Sequence, residues 1–255
     1  MLGKIAKYYF SKYYPTDVFH QRYALETRVS FIEQLKKITA GGRWIILNCM
    51  GAVPQRGKSS HRYFEINTTA VFDVLGVTND RVKLIQPSTD CVYSGVSSTG
   101  YEVQSFSDAS DAYGVSKLLA ERICLYSPNA AIVRTSIIGI DDRASGNGFL
   151  SWILSHAPGA TIPGFTNHYW NGVTTLKWCE FVRTLISGSM INGLHSLRSS
   201  SCLTKFHLAT EISDVWNLKV DVSPVEAGYA VNRCIVDALD MGDIKSQLVQ
   251  LRDFS

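Results

Sequence analysis

The sequence lacks any long hydrophobic run. No segment approaches the roughly 20 consecutive apolar residues that a transmembrane helix needs. The first residues, MLGKIAKYYFSKYY, carry lysines at positions 4, 7 and 12, where a secretory signal would have an uninterrupted apolar core. We therefore expect a cytoplasmic protein with no membrane partner.

The protein also has little net charge. The 255 residues carry a formal net charge of only +3, and the basic residues are scattered instead of forming a stripe. This distribution argues against a nucleic-acid partner. The 45% of hydrophobic residues excludes a disordered chain and suffices for one large core.

Pairs of cysteine or histidine at metal-binding spacing are missing as well. The sequence has no CxxC or HExxH, and its six histidines form no spaced pair. The six cysteines lie far apart, several of them inside apolar runs: Cys49, Cys91, Cys124, Cys179, Cys202 and Cys234. We expect reduced core thiols and no metal site.

Strand-length apolar runs alternate with segments of helical period up to about residue 140. The predicted strands are Thr16 to Phe19, Trp44 to Leu47, Val82 to Gln86 and Ala130 to Arg134. The predicted helices are Lys4 to Tyr13, Glu26 to Ile38, Arg62 to Leu75 and Asp111 to Leu125. This order predicts an α/β fold with a doubly wound parallel sheet whose first strand is missing.

Glycine and proline interrupt the pattern after residue 140. The helices predicted there are Phe149 to His156, Thr174 to Ser187 and Leu203 to Trp216. We predict a nucleotide-binding domain over residues 1–140 and a small C-terminal substrate lobe over 141–255, with some segments returning to the sheet. Ligands of such sheets bind at the carboxyl ends of the strands.

A tyrosine and a lysine lie four residues apart at the start of one predicted helix, in Tyr113-Gly114-Val115-Ser116-Lys117. This spacing places both side chains on one face, where a cation would favour the phenolate of a proton-donating tyrosine. Tyr8 and Lys12 show the same spacing, which we interpret as an ordinary helix face. Spacing alone is therefore a weak signal.

Hydroxyl groups collect where the central strand ends, at Ser88, Thr89 and Asp90. Thr89 could donate a hydrogen bond to a substrate oxygen that Tyr113 protonates. The alternative is that these residues only terminate the strand and cap the next turn.

Five motifs occur in a specific order: Asn48-Cys49-Met50-Gly51-Ala52, Asn67-Thr68, Ser88-Thr89-Asp90-Cys91-Val92-Tyr93-Ser94-Gly95, Tyr113 to Lys117, and Arg134-Thr135-Ser136-Ile137-Ile138-Gly139. With Trp170-Asn171-Gly172-Val173-Thr174-Thr175, this set resembles the extended short-chain dehydrogenase/reductases. It is most similar to their dTDP-4-dehydrorhamnose reductase-like branch, which acts on nucleotide-linked 4-keto sugars. The resemblance implies a Rossmann-like fold.

The resemblance also implies the roles of individual residues. Tyr113 would be the general acid, Lys117 would lower its pKa and hold the nicotinamide ribose, and Thr89 would orient the keto oxygen. Asn67 would stabilise the backbone of the site. The other cofactor contacts would be Leu2, Gly3, Asn48, Gly51, Ala52, Ser88, Ser136 and Ile137. Gly51 has a physical reason to be small, because a backbone passing under a cofactor leaves no room for a Cβ.

The sequence departs from the family pattern in two places. Cys91 stands where the reductases often have tyrosine. Of the glycine-rich phosphate loop only Met1-Leu2-Gly3 remains, so the first strand and two glycines are absent. Arg22, just after the predicted strand Thr16 to Phe19, favours NADP(H) over NAD(H). NAD(H) stays open, because Arg22 could also be an ordinary surface residue.

The substrate contacts that we predict are Asp90, Cys91, Asn147, Trp170 and Asn171, together with Thr89. Trp170 could instead pack the lobe against the sheet.

Together these observations predict an NADP-dependent reductase of a dTDP- or UDP-linked 4-keto-6-deoxy sugar. An epimerase or dehydratase of the same family stays open, as does a non-catalytic subunit with a degraded cofactor site. The sequence does not determine the oligomeric state, so it stays open whether a second copy of the chain is a partner in a homodimer.

Overall fold

The computed structural model of the protein describes residues 1–57, 59–141, 148–188 and 191–254. Its central sheet has five strands, and every neighbouring pair is parallel. In spatial order they are β1 (Trp44–Leu47), β2 (Val82–Ser88), β3 (Ala130–Arg134), β8 (Gly193–Arg198) and β12 (Leu239–Asp240). Within the described ranges β1 lies at one edge of the sheet, and the other four strands follow it on one side in chain order.

Helices cover both faces of this sheet. In chain order they are α1 (Leu2–Phe10), α2 (Arg28–Ile38), α3 (Ser60–Phe64), α4 (Ala70–Leu75), α5 (Ala112–Leu125), α6 (Phe149–Leu154), α7 (Thr175–Ser187), α8 (Lys205–Trp216) and α9 (Ile244–Phe254). A π-helical turn, Glu65–Thr69, joins α3 to α4, and Leu25–Thr27, Pro54–Arg56 and Asp90–Val92 form 3₁₀ turns.

The alternation of side chains along a strand explains the two faces. Leu84 belongs to the core beneath α2, α4 and α5, whereas its neighbour Ile85 belongs to the core formed with α1, α7, α8 and α9. Both side chains are fully buried. Strands buried on both faces read as continuous apolar runs, which is why the sequence pattern found them.

The remaining strands are short and build the C-terminal lobe. They are β4 (Ile137–Ile138), β5 (Thr161–Phe165), β6 (His168–Trp170), β7 (Val173–Thr174), β9 (Leu203–Thr204), β10 (Asp221–Val225) and β11 (Val231–Asn232). They pair as β4 with β7, β5 with β10, and β6 with both β9 and β11. β8 and β12, which lie in the same part of the chain, belong to the central sheet.

Gly172 marks the place where the lobe meets the sheet. A Cβ at this position would lie 2.1 Å from the carbonyl oxygen of Ser136, just past the end of β3. The amide of Val173 donates to that same oxygen at 2.9 Å. Only glycine allows this approach, which brings β6 and β7 against the carboxyl end of the sheet.

Two sequence predictions are wrong. Thr16 to Phe19 does not form a strand; it lies in a mostly exposed segment that pairs with no described strand. The expectation of six reduced cysteines fails for Cys202 and Cys234, which form a disulfide, while the other four cysteines are free. The disulfide joins the start of β9 to the end of β11, a contact that only the folded lobe creates.

The α/β prediction is confirmed, and the predicted strands and helices other than Thr16 to Phe19 agree with the structure within a few residues at their ends. No described helix has both the length and the apolar character needed to cross a membrane.

Candidate active site

The start of α5 carries the predicted tyrosine and lysine. Asp111 caps the helix, because its Oδ1 accepts a hydrogen bond from the amide of Gly114 at 2.8 Å. A Cβ on Gly114 would lie 2.2 Å from the carbonyl oxygen of Cys91. Glycine after Tyr113 therefore lets the turn that follows β2 pack directly on the first turn of α5.

This close approach brings Thr89 and Tyr113 together. Burial raises the pKa of the Tyr113 phenol above its ordinary value of 10.0, and the neighbouring Cys91 adds to this effect; the Thr89 side chain acts in the opposite direction. The Thr89 hydroxyl donates to Asp90 Oδ1 at 3.1 Å and accepts from the amide of Cys91 at 3.2 Å. Burial raises the pKa of the Cys91 thiol to about 12, so Cys91 is a neutral group there.

Lys117 lies one helical turn beyond Tyr113 and is buried. Its ammonium donates to the carbonyl oxygen of Pro87 at 2.6 Å. Burial lowers its pKa to about 8, against the opposing charge of Glu121. The expected effect of Lys117 on the pKa of Tyr113 stays a prediction.

Asn67 ties the site together from the π-helical turn Glu65–Thr69. Its Oδ1 accepts from the amide of Ala52 at 2.9 Å, and its Nδ2 donates to the carbonyl of Ala52 and to Ser116 Oγ, both at 3.0 Å. Asn67 thus holds the loop after β1 against α5, as the backbone role predicted for it requires. π-Turns inside helices are frequent at functional sites.

The predicted cofactor residues lie along the carboxyl ends of the strands. Asn48 is buried at the end of β1 and donates to Gln86 Oε1 at 2.7 Å. A Cβ on Gly3, in the first turn of α1, would lie 3.2 Å from Cys49 Cβ, so Leu2 and Gly3 lie beside that strand end. Gly51 is exposed, and an added Cβ would meet only Asn67 Oδ1, at 4.0 Å. The protein itself therefore does not require glycine at position 51.

Ser88 supplies the test of whether a cofactor fits. Its Oγ is buried and has no hydrogen-bond partner among the described residues. A buried hydroxyl without a partner costs free energy, so its position at the end of β2 fits a polar ligand. The N-terminus of α1 beside Cys49 adds the donors that a pyrophosphate needs. These residues fit a dinucleotide.

A cavity of about 540 Å³ lies between the sheet and the lobe. Four of the predicted site residues line it: Asp90, Cys91, Ser136 and Trp170. Thr89 and Tyr113 are not part of this lining, but Thr89 directly precedes Asp90 and donates a hydrogen bond to it. Ile137, half-buried beside Ser136, pairs with Val173 in the strand contact that joins lobe and sheet.

The structure places the remaining predicted residues elsewhere. Asn171 is buried outside the cavity lining, and its amide bonds the backbone of Ile235 in both directions, at 3.1 and 3.2 Å. It therefore holds the lobe together. Arg22 is exposed in the segment that lacks a strand. Asn147 lies outside the described residues.

The sequence reasoning missed Lys205 and Arg233, two cationic residues that line the cavity. It also missed the steric need for Gly114. Gly114 stands directly after Tyr113 in the motif, so it was visible in the sequence, whereas nothing in the sequence pattern connects Lys205 with Arg233.

Comparisons with known proteins agree with this architecture. The dTDP-4-dehydrorhamnose reductase (rfbD) from Bacillus anthracis, solved in complex with NADP, aligns with a TM-score of 0.82 at 22% identity, over 100% of this chain and 95% of that chain. The dTDP-4-dehydrorhamnose reductase from Yersinia enterocolitica gives 0.78 at 19%, over 100% and 96%. RMD from Pseudomonas aeruginosa complexed with NADPH gives 0.76 at 16%, over 100% and 95%.

At these identities the likeness shows the fold, which is the Rossmann-like architecture expected from the motifs. No curated protein sequence matches the chain. The family model described as "RmlD substrate binding domain" matches residues 45–234. This range contains the end of β1, Asn67, the Thr89 to Tyr113 contact, Lys117 and most of the cavity lining, and the chain belongs to the RmlD substrate binding domain family.

Proposed function

We propose that the protein is an NADP(H)-dependent reductase of a nucleotide-linked 4-keto-6-deoxy sugar, with Tyr113 as the proton donor. The packing of the turn after β2 on the first turn of α5, which brings Thr89 near Tyr113, carries this proposal. The next two residues of that turn, Asp90 and Cys91, line a cavity of about 540 Å³, a volume in the range of sites for ligands of this size. The neighbours that are reductases by name, or are bound to NADP or NADPH, support it.

The chain's own residues account for the proton and the orientation of the substrate. When bound, the reduced nicotinamide supplies the hydride to the keto carbon. Tyr113 gives its phenolic proton to the oxygen of that carbon; a phenol is protonated at neutral pH, as a donor must be. The Thr89 hydroxyl, which donates to Asp90 Oδ1 in the free protein, would turn to donate to the same oxygen. Lys117, as an ammonium one turn away, favours the phenolate that remains.

The cofactor would lie across the carboxyl ends of β1 and β2. The N-terminus of α1, with Leu2 and Gly3, would meet the pyrophosphate, and Gly51 and Ala52 would lie against the adenosine side. Ser136 and Ile137 would border the nicotinamide, and Ser88 would be a further cofactor contact. The expectation of NADP(H) is supported by the NADP and NADPH bound to two of the similar structures; Arg22 carries no part of it, because the strand that was to position it does not form.

The test is NADPH oxidation by the purified chain with a panel of dTDP- and UDP-linked 4-keto-6-deoxy sugars. Tyr113→Phe should lower kcat/KM by about 100- to 10,000-fold, the usual contribution of a general acid. It should leave NADPH binding, measured by fluorescence titration, close to that of the unchanged protein. Tyr126→Phe is the matched control, since Tyr126 is 92% exposed at the far end of α5.

Three results would contradict the proposal. Full activity of Tyr113→Phe would remove its proton donor. Conversion of the sugar without net NADPH oxidation would indicate the epimerase or dehydratase alternative. Failure to bind NADPH at millimolar concentration, with no turnover of any sugar, would indicate the non-catalytic alternative.

A further inference from the structure

The Cys202–Cys234 disulfide joins two segments of the lobe that both reach the cavity. Cys202 directly precedes β9 and lies three residues before Lys205, whereas Cys234 directly follows Arg233. Lys205 and Arg233 both line the cavity. The Cα atoms of the two cysteines are 6.0 Å apart, so the bond cross-links the start of α8 to the segment that leaves β11.

The two ends of this bond differ in their access to solvent. Cys202 is exposed, whereas Cys234 is buried, with 1% of its surface accessible. Thiol–disulfide exchange begins when a thiolate attacks one of the two sulfur atoms, and its rate depends on which of them can be reached. The attack is therefore open at Cys202 Sγ.

The backbone around Cys234 holds the end of a loop, residues 93–101, that follows the catalytic turn. The amide of Tyr101 donates to the carbonyl oxygen of Cys234, and the amide of Val236 donates to the carbonyl oxygen of Tyr101, both at 2.8 Å. Gly100 packs directly on the same segment, because a Cβ there would lie 2.6 Å from the Cys234 oxygen. Cys234 thus lies at the centre of this contact.

The two residues before Cys234 hold the start of the same loop. The amide of Asn232 donates to the carbonyl oxygen of Gly95 at 2.7 Å. Arg233 Nε donates to the carbonyl of Tyr93 at 2.9 Å, and its Nη2 donates to the carbonyl of Ser94 at 3.0 Å. The lobe segment 231–236 therefore fixes loop 93–101 at both ends.

Loop 93–101 continues the turn that carries Thr89. The 3₁₀ turn Asp90–Val92 lies between Thr89 and Tyr93, and the amide of Tyr93 donates to the carbonyl oxygen of Asp90 at 3.0 Å. Gly95 and Val96 line the cavity together with that turn. A displacement of the lobe segment 231–236 is therefore transmitted to the turn that places Thr89.

The non-covalent contacts of the lobe segment are few. β11 pairs with β6 over only two residues, Val231 and Asn232. Asn171 bonds the backbone of Ile235 in both directions, at 3.1 and 3.2 Å. These contacts remain when the disulfide is broken, so we expect reduction to loosen the segment without unfolding the lobe.

We propose that the Cys202–Cys234 bond is a site of thiol–disulfide exchange with a dithiol, and that its reduction loosens loop 93–101 and lowers the turnover of the enzyme. The effect on turnover rests on the proposed function. A thiolate of the dithiol attacks Cys202 Sγ, and the sulfur of Cys234 leaves with the bonding electrons and takes up a proton. The second thiol of the dithiol then resolves the mixed disulfide. In total two electrons and two protons pass to the cysteines, and the dithiol becomes a disulfide.

The first test asks whether the bond exchanges in the folded protein. Dithiothreitol is added without denaturant, the thiols are alkylated, and the modified cysteines are identified by mass spectrometry. Cys202 and Cys234 should both be alkylated after this treatment and neither before it. Reduction that occurs only in denaturant would overturn the exchange site.

The second test measures amide hydrogen exchange in peptides that cover residues 93–101 and 231–236. Reduction should accelerate exchange in both by about 10-fold, because each loses the same cross-link, and should leave β2 and β3 unchanged. Cys202→Ser/Cys234→Ser should behave like the reduced protein and should not respond to dithiothreitol. Equal exchange in the oxidised and reduced proteins would overturn the proposal.

Leu35→Ala separates this local effect from a general loss of stability. Leu35 is 5% exposed in the core beneath α2, α4 and α5, so its truncation destabilises the fold by leaving a cavity. It should leave exchange in residues 93–101 and 231–236 close to that of the unchanged protein. The same acceleration in Leu35→Ala as after reduction would show a general destabilisation and overturn the proposal.

The third test is turnover. Reduction should lower kcat for NADPH oxidation several-fold, and glutathione disulfide, which takes the two electrons back, should restore it. Equal kcat in both redox forms would overturn the regulatory role while supporting the proposed function. Faster amide exchange on reduction in a protein without reductase activity would support the loosening of the loop and contradict the proposed function.

Discussion

Lys117 is a single residue whose charge state couples to folding. Burial lowers its pKa from 10.5 to about 8, so between these values the unfolded chain holds a proton that the folded chain has released. The buried Lys117 therefore lowers the free energy of unfolding at pH 8 and below. This loss disappears as the pH rises towards 10.5. The effect amounts to at most about 1.4 kcal/mol per pH unit.

We therefore expect the unchanged protein to gain stability over Lys117→Met as the pH rises from 8 to 10. The measurement is urea unfolding followed by circular dichroism at several pH values, with the difference between the two proteins as the observable. Lys36→Met, on the exposed side of α2, is the lysine-to-methionine control. A difference that declines over this range would contradict the burial of a charged Lys117.

Residue-level chemistry was partly readable from the sequence. Thr89, Tyr113 and Lys117 became candidates because each lies at the end of a strand or the start of a helix, positions that the apolar pattern locates well. Lys205 and Arg233 did not, because they are 28 residues apart and line one cavity only through the packing of the lobe. The sequence also could not show that Asn171 bonds the backbone of Ile235, since an amide side chain can equally well contact a ligand.

Between elements, the packing of α5 on the turn after β2 depends on Gly114. Gly114→Ala would place a methyl group 2.2 Å from the carbonyl oxygen of Cys91, so one of the two backbones must move. We expect a loss of about 1–3 kcal/mol in the free energy of unfolding, as for overpacking elsewhere. We also expect a loss of kcat/KM larger than the loss of stability explains, since the shift separates Thr89 from Tyr113.

Thermal unfolding and the NADPH oxidation assay measure both effects. Gly228→Ala is the control substitution, because no atom lies within 4 Å of a Cβ built there. If Gly114→Ala were as stable and as active as the control, the close approach of turn and helix would be disproved.

Elements buried on both sides were easier to predict than exposed ones. β2 and β3 are fully buried apart from Lys83, and their apolar runs leave little alternative to a strand. Thr16 to Phe19 has the composition of a strand, but a strand needs a neighbour to bond, and that segment has none among the described residues. Whether a segment pairs with a neighbouring strand depends on the whole sheet, and the composition of the segment alone does not show this.

For the molecule as a whole, the disulfide is the largest departure from expectation. It closes a loop with a sequence separation of 32 residues, for which the loss of chain entropy in the unfolded state predicts about 3 to 4 kcal/mol of stabilisation. Cys202→Ser/Cys234→Ser should lower the free energy of unfolding by this amount. Urea unfolding without reductant measures it, and reduction of the unchanged protein should give a matching value.

Thiol titration provides the independent control. The denatured, unreduced protein should react at four cysteines, and at six after reduction. Six reactive thiols before reduction would contradict the disulfide. The spacing of the cysteines could not reveal the bond, because the two residues meet only when β9 and β11 both pair with β6.

The return of the chain to the central sheet has a consequence for cooperativity. β3 bonds β8 on one side, and β8 bonds β12, yet both partners come from the far side of the predicted boundary at residue 140. A fragment ending there would leave β3 at an open edge and would lose α7 and α9 from one face of the sheet. The segments on either side of residue 140 therefore share one sheet, and we expect them to unfold together.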